Sequence, residues 1–360
     1  MLRRTFLRST AAGAAMPALA APGDGIRLGF DTFSIRAYNW KATQLLDYAA
    51  EQKLDSVQMS SLSDYENLEP AYLRKVKEHA GRLGISIDAG IGCVCPSSRG
   101  WNPKQGDARE YVLTGLKTAQ AVGSQVMRCY MGNFMDRRGP LPLEAHMENT
   151  IKVFRSVRQQ ALELGIKIAL ENHAGDMQAR EVRTIIEESG KEFVGSCLDT
   201  GNPIWALEDP FVTLEVLHPY VLTTHIRDTA VFEHPKGAAW QWVALGDGSL
   251  DLVRFTELYR KLCPQAAMQL EIITGRKPDV LNYLEPEFWK AFPKTPASEF
   301  ARFLAFAKSG RPFMGSMIIG GSGKQPPAIE AALKEQQKTD LERSFEYARK
   351  TLGAGVRWKA

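Results

Sequence analysis

Residues 167–202 read KIALENHAGDMQAREVRTIIEESGKEFVGSCLDTGN. The stretch opens on a short apolar run, Lys167–Leu170, and returns to another, Val194–Leu198. Between them lies a longer amphipathic segment, Ala179–Glu188, with Gly190 where a helix should stop. Strand, helix, strand without a hairpin turn argues for parallel strands joined by a crossover helix. Each apolar run is broken on its C-terminal side by an acid, Glu171 in one and Asp199 in the other.

The same alternation extends in both directions. Upstream, strands are expected at Ile26–Phe30, Ser56–Met59, Ile85–Ala89 and Gln125–Tyr130. The helices after them are expected at Ala42–Gln52, Pro70–Leu83, Ala108–Val122 and Leu143–Leu164. Downstream come helix Pro210–Leu217, strand Val221–Ile226, helix Leu252–Leu262 and strand Ala267–Ile273. Gly84, Gly123 and Gly165 punctuate helix ends as Gly190 does. Eight strand–helix units in about 250 residues predict an α/β fold, a (β/α)8 TIM barrel. A doubly wound sheet would want a glycine-rich phosphate loop after the first strand, and that place holds Asp31-Thr32-Phe33-Ser34.

The eighth helix is expected at 328–352, which makes 275–326 an insertion after strand eight, placed to be a lid or wall of the site. Within it, Gly320-Gly-Ser-Gly-Lys324 is no phosphate loop: Ile318 stands where the first glycine is needed, and Gln325 replaces the Ser/Thr.

The chain has 360 residues, 44% of them hydrophobic and 24% charged, as in ordinary globular proteins. It has no low-complexity tract and no apolar run of membrane-spanning length, which excludes fibrous, disordered and polytopic membrane classes. The first 25 residues read as a targeting segment. Arg3 and Arg4, one spacer, then Phe6 and Leu7 resemble the twin-arginine export signal, and Ala18 and Ala20 offer a cleavage site. The expectation is a periplasmic or secreted protein that uses the twin-arginine machinery. Lys and Arg number 45 against 41 Asp and Glu, and Arg3, Arg4 and Arg8 account for most of the excess. A near-neutral mature chain gives no support to nucleic-acid binding or stable membrane insertion. Five cysteines, an odd number without zinc spacing, form no evident disulfide framework.

Chemistry concentrates at four successive strand ends: Glu171, Asp199, His225 and Glu271. Charge at the end of an apolar strand is costly unless it is paired or bound to a cation. Three carboxylates and one imidazole make an oxygen-rich donor set that suits Mn²⁺ best, with Mg²⁺, Co²⁺ or Zn²⁺ also accommodated.

The motifs Leu-Glu171-Asn-His, Leu-Asp199-Thr-Gly-Asn, Thr-His225-Ile-Arg-Asp and Leu-Glu271-Ile resemble those of the xylose isomerase-like barrel superfamily. So does the Gly246-Asp-Gly248 turn before Leu250-Asp251. The resemblance spans roughly residues 26–274 and the closing helix. It implies that Glu171, Asp199, His225 and Glu271 hold one divalent metal ion, and that Glu171 and Glu271 double as the proton-transfer pair. Strand alternation adds His173 and Arg227 as substrate-contacting candidates, two residues beyond Glu171 and His225. For Arg227 the alternative is a rim ion pair with Asp228. Arg128, late in strand four, points either to substrate or to a structural ion pair. Asn202 stands where some epimerases of the family carry His, and Gln58 where many relatives carry Glu, so the charge pattern of the pocket departs from theirs. Relatives are often dimers or tetramers, which leaves a homo-oligomer open.

The expected activity is isomerisation or epimerisation of a non-phosphorylated sugar or keto-sugar through an enediolate. The alternative is a lyase or dehydratase that eliminates from a 3-keto-glycoside or related keto-sugar. A nuclease of the same fold would need a richer histidine set than the six present. A non-catalytic sugar binder would need neither Glu171 nor Glu271 as a base.

Overall fold

A computed structural model describes residues 25–321 and 323–358. The export segment at 1–25 therefore lies almost wholly outside the described residues. The first half of the chain runs β1 (Leu28–Asp31), α1 (Ala42–Glu51), β2 (Ser56–Gln58), α2 (Pro70–Leu83), β3 (Ser86–Cys93), α3 (Ala108–Val122), β4 (Val126–Tyr130), α4 (Leu143–Ser156) and α5 (Arg158–Leu164). The second half runs β5 (Lys167–Glu171), α6 (Ala179–Ser189), β6 (Val194–Asp199), α7 (Pro210–Leu217), β7 (Val221–His225), β8 (Asp228–His234), β9 (Gly237–Val243), α8 (Leu252–Leu262), β10 (Met268–Leu270), β11 (Asp279–Leu281), α9 (Ala297–Ser309) and α10 (Pro327–Lys350).

Eight parallel strands form one sheet in the order β10-β1-β2-β3-β4-β5-β6-β7. Ile226, just past β7, closes the ring. Its N–H donates to Gln269 O at 2.8 Å, and Glu271 N–H donates to Ile226 O at 3.1 Å. The fold is a TIM barrel. Every residue of β6 is buried, as in a strand covered on both faces, which is why its sequence does not alternate between apolar and polar. The helices bury one stripe each against the strands. Gly84, Gly123 and Gly165 take the left-handed conformation at the helix ends, with φ of 66°, 80° and 67°. Gly190 ends α6 differently, at φ 129° and ψ 101°.

Three features differ from the sequence reading. The helix expected over 143–164 is two helices, because the buried Val157 leaves helical geometry at φ −111°, ψ 4°. The segment after β7 is not a plain loop: β8 and β9 form an antiparallel hairpin, and β11 from the 275–326 segment pairs with β9. This three-stranded sheet roofs a second apolar cluster that includes Ile204, Trp240, Trp242, Phe292 and Phe303. Strand eight is shorter than expected, only Met268–Leu270, which leaves Glu271 on irregular backbone beyond it. The buried side chains of α10 are Leu341, Ser344, Phe345 and Ala348, so its C-terminal half packs on the barrel while Leu333 and Gln337 face the barrel mouth.

Candidate metal centre and substrate cavity

Glu171, Asp199 and His225 are the last residues of β5, β6 and β7, and Glu271 directly follows β10. The parallel register sets Asp199 opposite His225. All four side chains are buried, and one donor atom from each lies within 4.8 Å of the others. His225 Nδ1 is 3.1 Å from Glu171 Oε1, 3.4 Å from Glu271 Oε2 and 3.8 Å from Asp199 Oδ2.

The imidazole is oriented from behind. Gln58 Nε2 donates to Thr223 Oγ1 at 2.8 Å, so Gln58 Oε1 turns to His225 and accepts from Nε2–H. Asp31 Oδ2 lies 3.3 Å from the same nitrogen. That leaves Nδ1 as the nitrogen that faces the carboxylates and can give its lone pair to a metal ion. It is buried, and among the described residues it makes no well-formed hydrogen bond although Glu171 Oε1 lies 3.1 Å away. Burial favours a neutral ring, but Cys197, Glu171, Glu271 and Asp31 outweigh it and raise the His225 pKa well above the ordinary value. Burial, with Glu171 and Glu271 nearby, pushes Asp199 up to about 7 against the pull of Arg227. A nest of acids around one orphan nitrogen calls for a cation, and three carboxylate oxygens with one imidazole nitrogen suit a divalent metal. The residues therefore fit the ion that the motifs imply.

Protein donors reach both oxygens of the carboxylates on β5 and β6, and one oxygen of each also faces His225. Asp199 Oδ1 accepts the Gly201 and Asn202 N–H groups at 2.6 and 2.7 Å. Arg128 Nε donates to Glu171 Oε2 at 2.6 Å, and Asn202 Nδ2 donates to Glu171 Oε1 at 3.0 Å. Burial opposes the charge on Glu171, yet Arg128 and His225 hold its carboxyl well below the usual carboxylate range. Arg227 Nη2 donates to both Asp199 Oδ2 and Glu271 Oε2. Among the described residues Glu271 Oε1 has no protein donor, and Glu271 lines the cavity.

Each residue singled out from the sequence has a definite place. Arg128 is in an ion pair, with Glu171. Arg227 does not pair with Asp228, whose carboxylate instead accepts the N–H groups of Thr229, Gly246, Gly248 and Leu250. It turns inward because residue 201 is glycine, where a Cβ would overlap Arg227 Cδ. His173 lies in the cavity wall, stacked on Tyr130 at 3.8 Å, and donates Nδ1–H to Gly132 O at 2.7 Å. Burial pushes its pKa down to about 4, so it is a neutral ring with Nε2 left as an acceptor. Asn202 also lines the cavity, beside Glu171.

Sequence reasoning missed Asp31 behind His225, although an acid ending strand one was a visible signal. It also missed the aromatic wall of Trp205, Trp240 and Trp242, and the cations Arg36 and Arg276. These come from the roof and from loops whose placement no local pattern encodes. The cavity above the centre measures about 1090 Å³. Thr274–Asp279 and Gly320–Gly321 of the segment after strand eight contribute to its rim.

A 3-oxo-isoapionate decarboxylase of Pectobacterium atrosepticum is 25% identical over 236 residues, which cover 62% of this chain and 77% of that protein. Among solved structures, the fold is similar to a D-psicose 3-epimerase (TM-score 0.57, 14% identity, 91% of this chain and 100% of the other). It is also similar to the IolI protein, solved with a zinc atom (TM-score 0.52, 15% identity, 78% and 95%). The sequence profile of the xylose isomerase-like TIM barrel matches residues 46–291, more than half of the chain. The chain therefore belongs to the xylose isomerase-like TIM barrel family.

Proposed function

We propose that this protein is a divalent-metal-dependent isomerase or epimerase that moves a proton beside the carbonyl of a non-phosphorylated sugar or keto-sugar. The observation that carries the reading is the buried, unpartnered His225 Nδ1 set among Glu171, Asp199 and Glu271. A divalent ion held by these four residues, Mn²⁺ by preference, supplies Lewis acidity that stabilises the negative charge of an enediolate. Glu271, with Oε1 open to the cavity, removes the proton. Glu171 is the second carboxylate, and His173 Nε2 and Asn202 orient substrate hydroxyls. Arg227 positions Glu271 and Asp199 through Nη2.

A second reading, a lyase acting on the same kind of keto-sugar, is favoured by the asymmetry of the two glutamates. Glu171 is sealed by Arg128 and Asn202, whereas epimerisation by two bases needs both faces served. Elimination or decarboxylation needs at most one base, and the relative from P. atrosepticum is named as a decarboxylase. Export by the twin-arginine route, on Arg3, Arg4, Phe6 and Leu7, is part of the proposal and brings the enzyme to periplasmic sugars.

The test is elemental analysis of the purified protein, followed by mass and NMR analysis of products from sugars and keto-glycosides. About one divalent ion per chain and a product of unchanged mass support the isomerase or epimerase. Loss of CO2, water or an aglycone supports the lyase. A protein that takes up no divalent ion after reconstitution overturns both.

A further inference from the structure

Three guanidinium groups converge on the substrate cavity. Arg227 and Arg276 lie over the same indole, with their Cζ atoms 4.6 and 5.2 Å from the Trp242 ring centroid. Arg276 also lies 5.7 Å from the Trp205 ring, and Arg36 lines the same space from the 3-10 helix Thr32–Tyr38 that follows β1. Among the described residues neither Arg36 nor Arg276 forms a salt bridge. Arg36 donates only to Phe33 O, at 2.9 Å, and lies 4.3 Å from the Phe33 ring centroid. Arg227 is 2% exposed, and although Nη2 is engaged, Nε and Nη1 have no partner. Burial lowers the Arg36 pKa; Glu271 opposes this, and Arg276 and Arg227 lower it further, as expected of cations that feel one another.

Arg227 is paired with Asp199 and Glu271, but the half-buried Arg36 and the exposed Arg276 line one space without an acidic partner among the described residues, an arrangement that a shared anion would satisfy. The acids that share the wall do not serve this purpose. Glu271 is paired with Arg227, Asp64 accepts from Thr32 Oγ1 and Ser61 N–H, and Asp279 accepts its neighbour's N–H. Lys41 and Lys277 add further positive charge at the rim.

We propose that the substrate is an acidic sugar, whose oxyanion group is held by Arg36 and Arg276 at the cavity mouth while its carbonyl end reaches the four-residue centre. This rests on the proposed function for the role of that centre. It goes beyond it in assigning the anion site and in setting substrate charge as the feature that is selected. The chemistry recognised is an oxyanion on a polyol, which a carboxylate supplies in a non-phosphorylated sugar; preference for the phosphate ester instead would overturn that part of the proposed function.

The test measures binding to the manganese-loaded full chain by calorimetry. The probes are gluconate, glucuronate and glucose 6-phosphate, set against glucose and glucitol. At least one acidic probe should bind about tenfold or more tightly than the neutral ones, in keeping with charge-assisted hydrogen bonds. The preference should weaken as salt is raised. Arg276→Gln and Arg36→Gln should each reduce it severalfold, with metal content and melting temperature unchanged. The carboxylate and phosphate arms identify the source of the oxyanion. Equal binding of acidic and neutral probes, or an acid preference that survives both substitutions, overturns the inference. Metal content and turnover are read separately. A loaded, active enzyme without acid preference therefore sinks only the anion site, and a metal-free, inactive protein that still prefers acids sinks only the proposed function.

Discussion

Arg128 donates through Nε to Glu171 Oε2 at 2.6 Å, and both side chains are buried. The pair fixes Glu171 as a carboxylate and directs its other oxygen at His225 Nδ1. Replacing Arg128 by Gln leaves a buried negative charge without its partner. Such losses cost about 3–5 kcal/mol. Thermal melts should show R128Q strongly destabilised without metal, and part of the loss recovered on adding Mn²⁺, which supplies the missing positive charge. An equal loss with and without the ion would show that Glu171 does not face a metal.

Glu271 and His225 should separate in their effects. His225→Ala removes the only nitrogen donor of the centre and should cut metal content sharply, as read by elemental analysis. Glu271→Gln keeps an oxygen there but no base. Its turnover should fall by about 10²–10⁴-fold, further than its metal occupancy falls.

Gly201 is required by contact, not by conformation. A Cβ at that position would overlap Arg227 Cδ and lie 2.9 Å from Trp242 Nε1. Gly201→Ala should displace Arg227 from Asp199 and Glu271 and cost about 1–3 kcal/mol of stability. Denaturant melts and turnover should fall together.

Glu208, remote from the centre, predicts a pH dependence of stability. Burial pushes its carboxyl up to about 7 from 4.5, against the hydrogen bonds from Thr213 and Ala179. Its Oε1 accepts from Thr213 Oγ1 at 2.6 Å, and the two oxygens accept from Ala179 N–H at 3.2 and 3.1 Å at the start of α6. Because the folded pKa exceeds the unfolded one, the folded state binds more protons between these values. The contribution is full below 4.5 and is lost as pH rises through about 7. Its slope is at most about 1.4 kcal/mol per pH unit. Glu208→Gln should flatten the fall in melting temperature between pH 5 and 8.

Export is tested at the other end of the chain. Arg3→Lys combined with Arg4→Lys should leave the full-length precursor in the cytoplasm, as fractionation and intact mass would show. A periplasmic product from this variant would refute the twin-arginine reading.

The order of strands and helices was legible from the chain alone because its determinants are local. Apolar runs, amphipathic spacing and glycines fix α2, α3, α7 and α8 to the residue. The four residues that meet at the barrel mouth were also legible, since parallel strands bring successive C-terminal ends together whatever the loops do. Other features depended on contacts between residues far apart in sequence. Gln58 meets His225 across 167 positions, and Arg128 meets Glu171 across 43. Arg227 pointed toward either substrate or Asp228 by alternation alone; Gly201, two residues beyond the neighbouring strand β6, and the Trp242 ring turn it to Asp199 and Glu271. The roof of β8, β9 and β11 joins segments on either side of β10, so no single window of sequence encodes it. The sequence by itself determined the barrel and which side chains end its strands, because backbone periodicity is a short-range property. The tertiary structure decided which of those charges are paired, which stay open and what encloses them, because pairing and burial depend on the approach of distant segments.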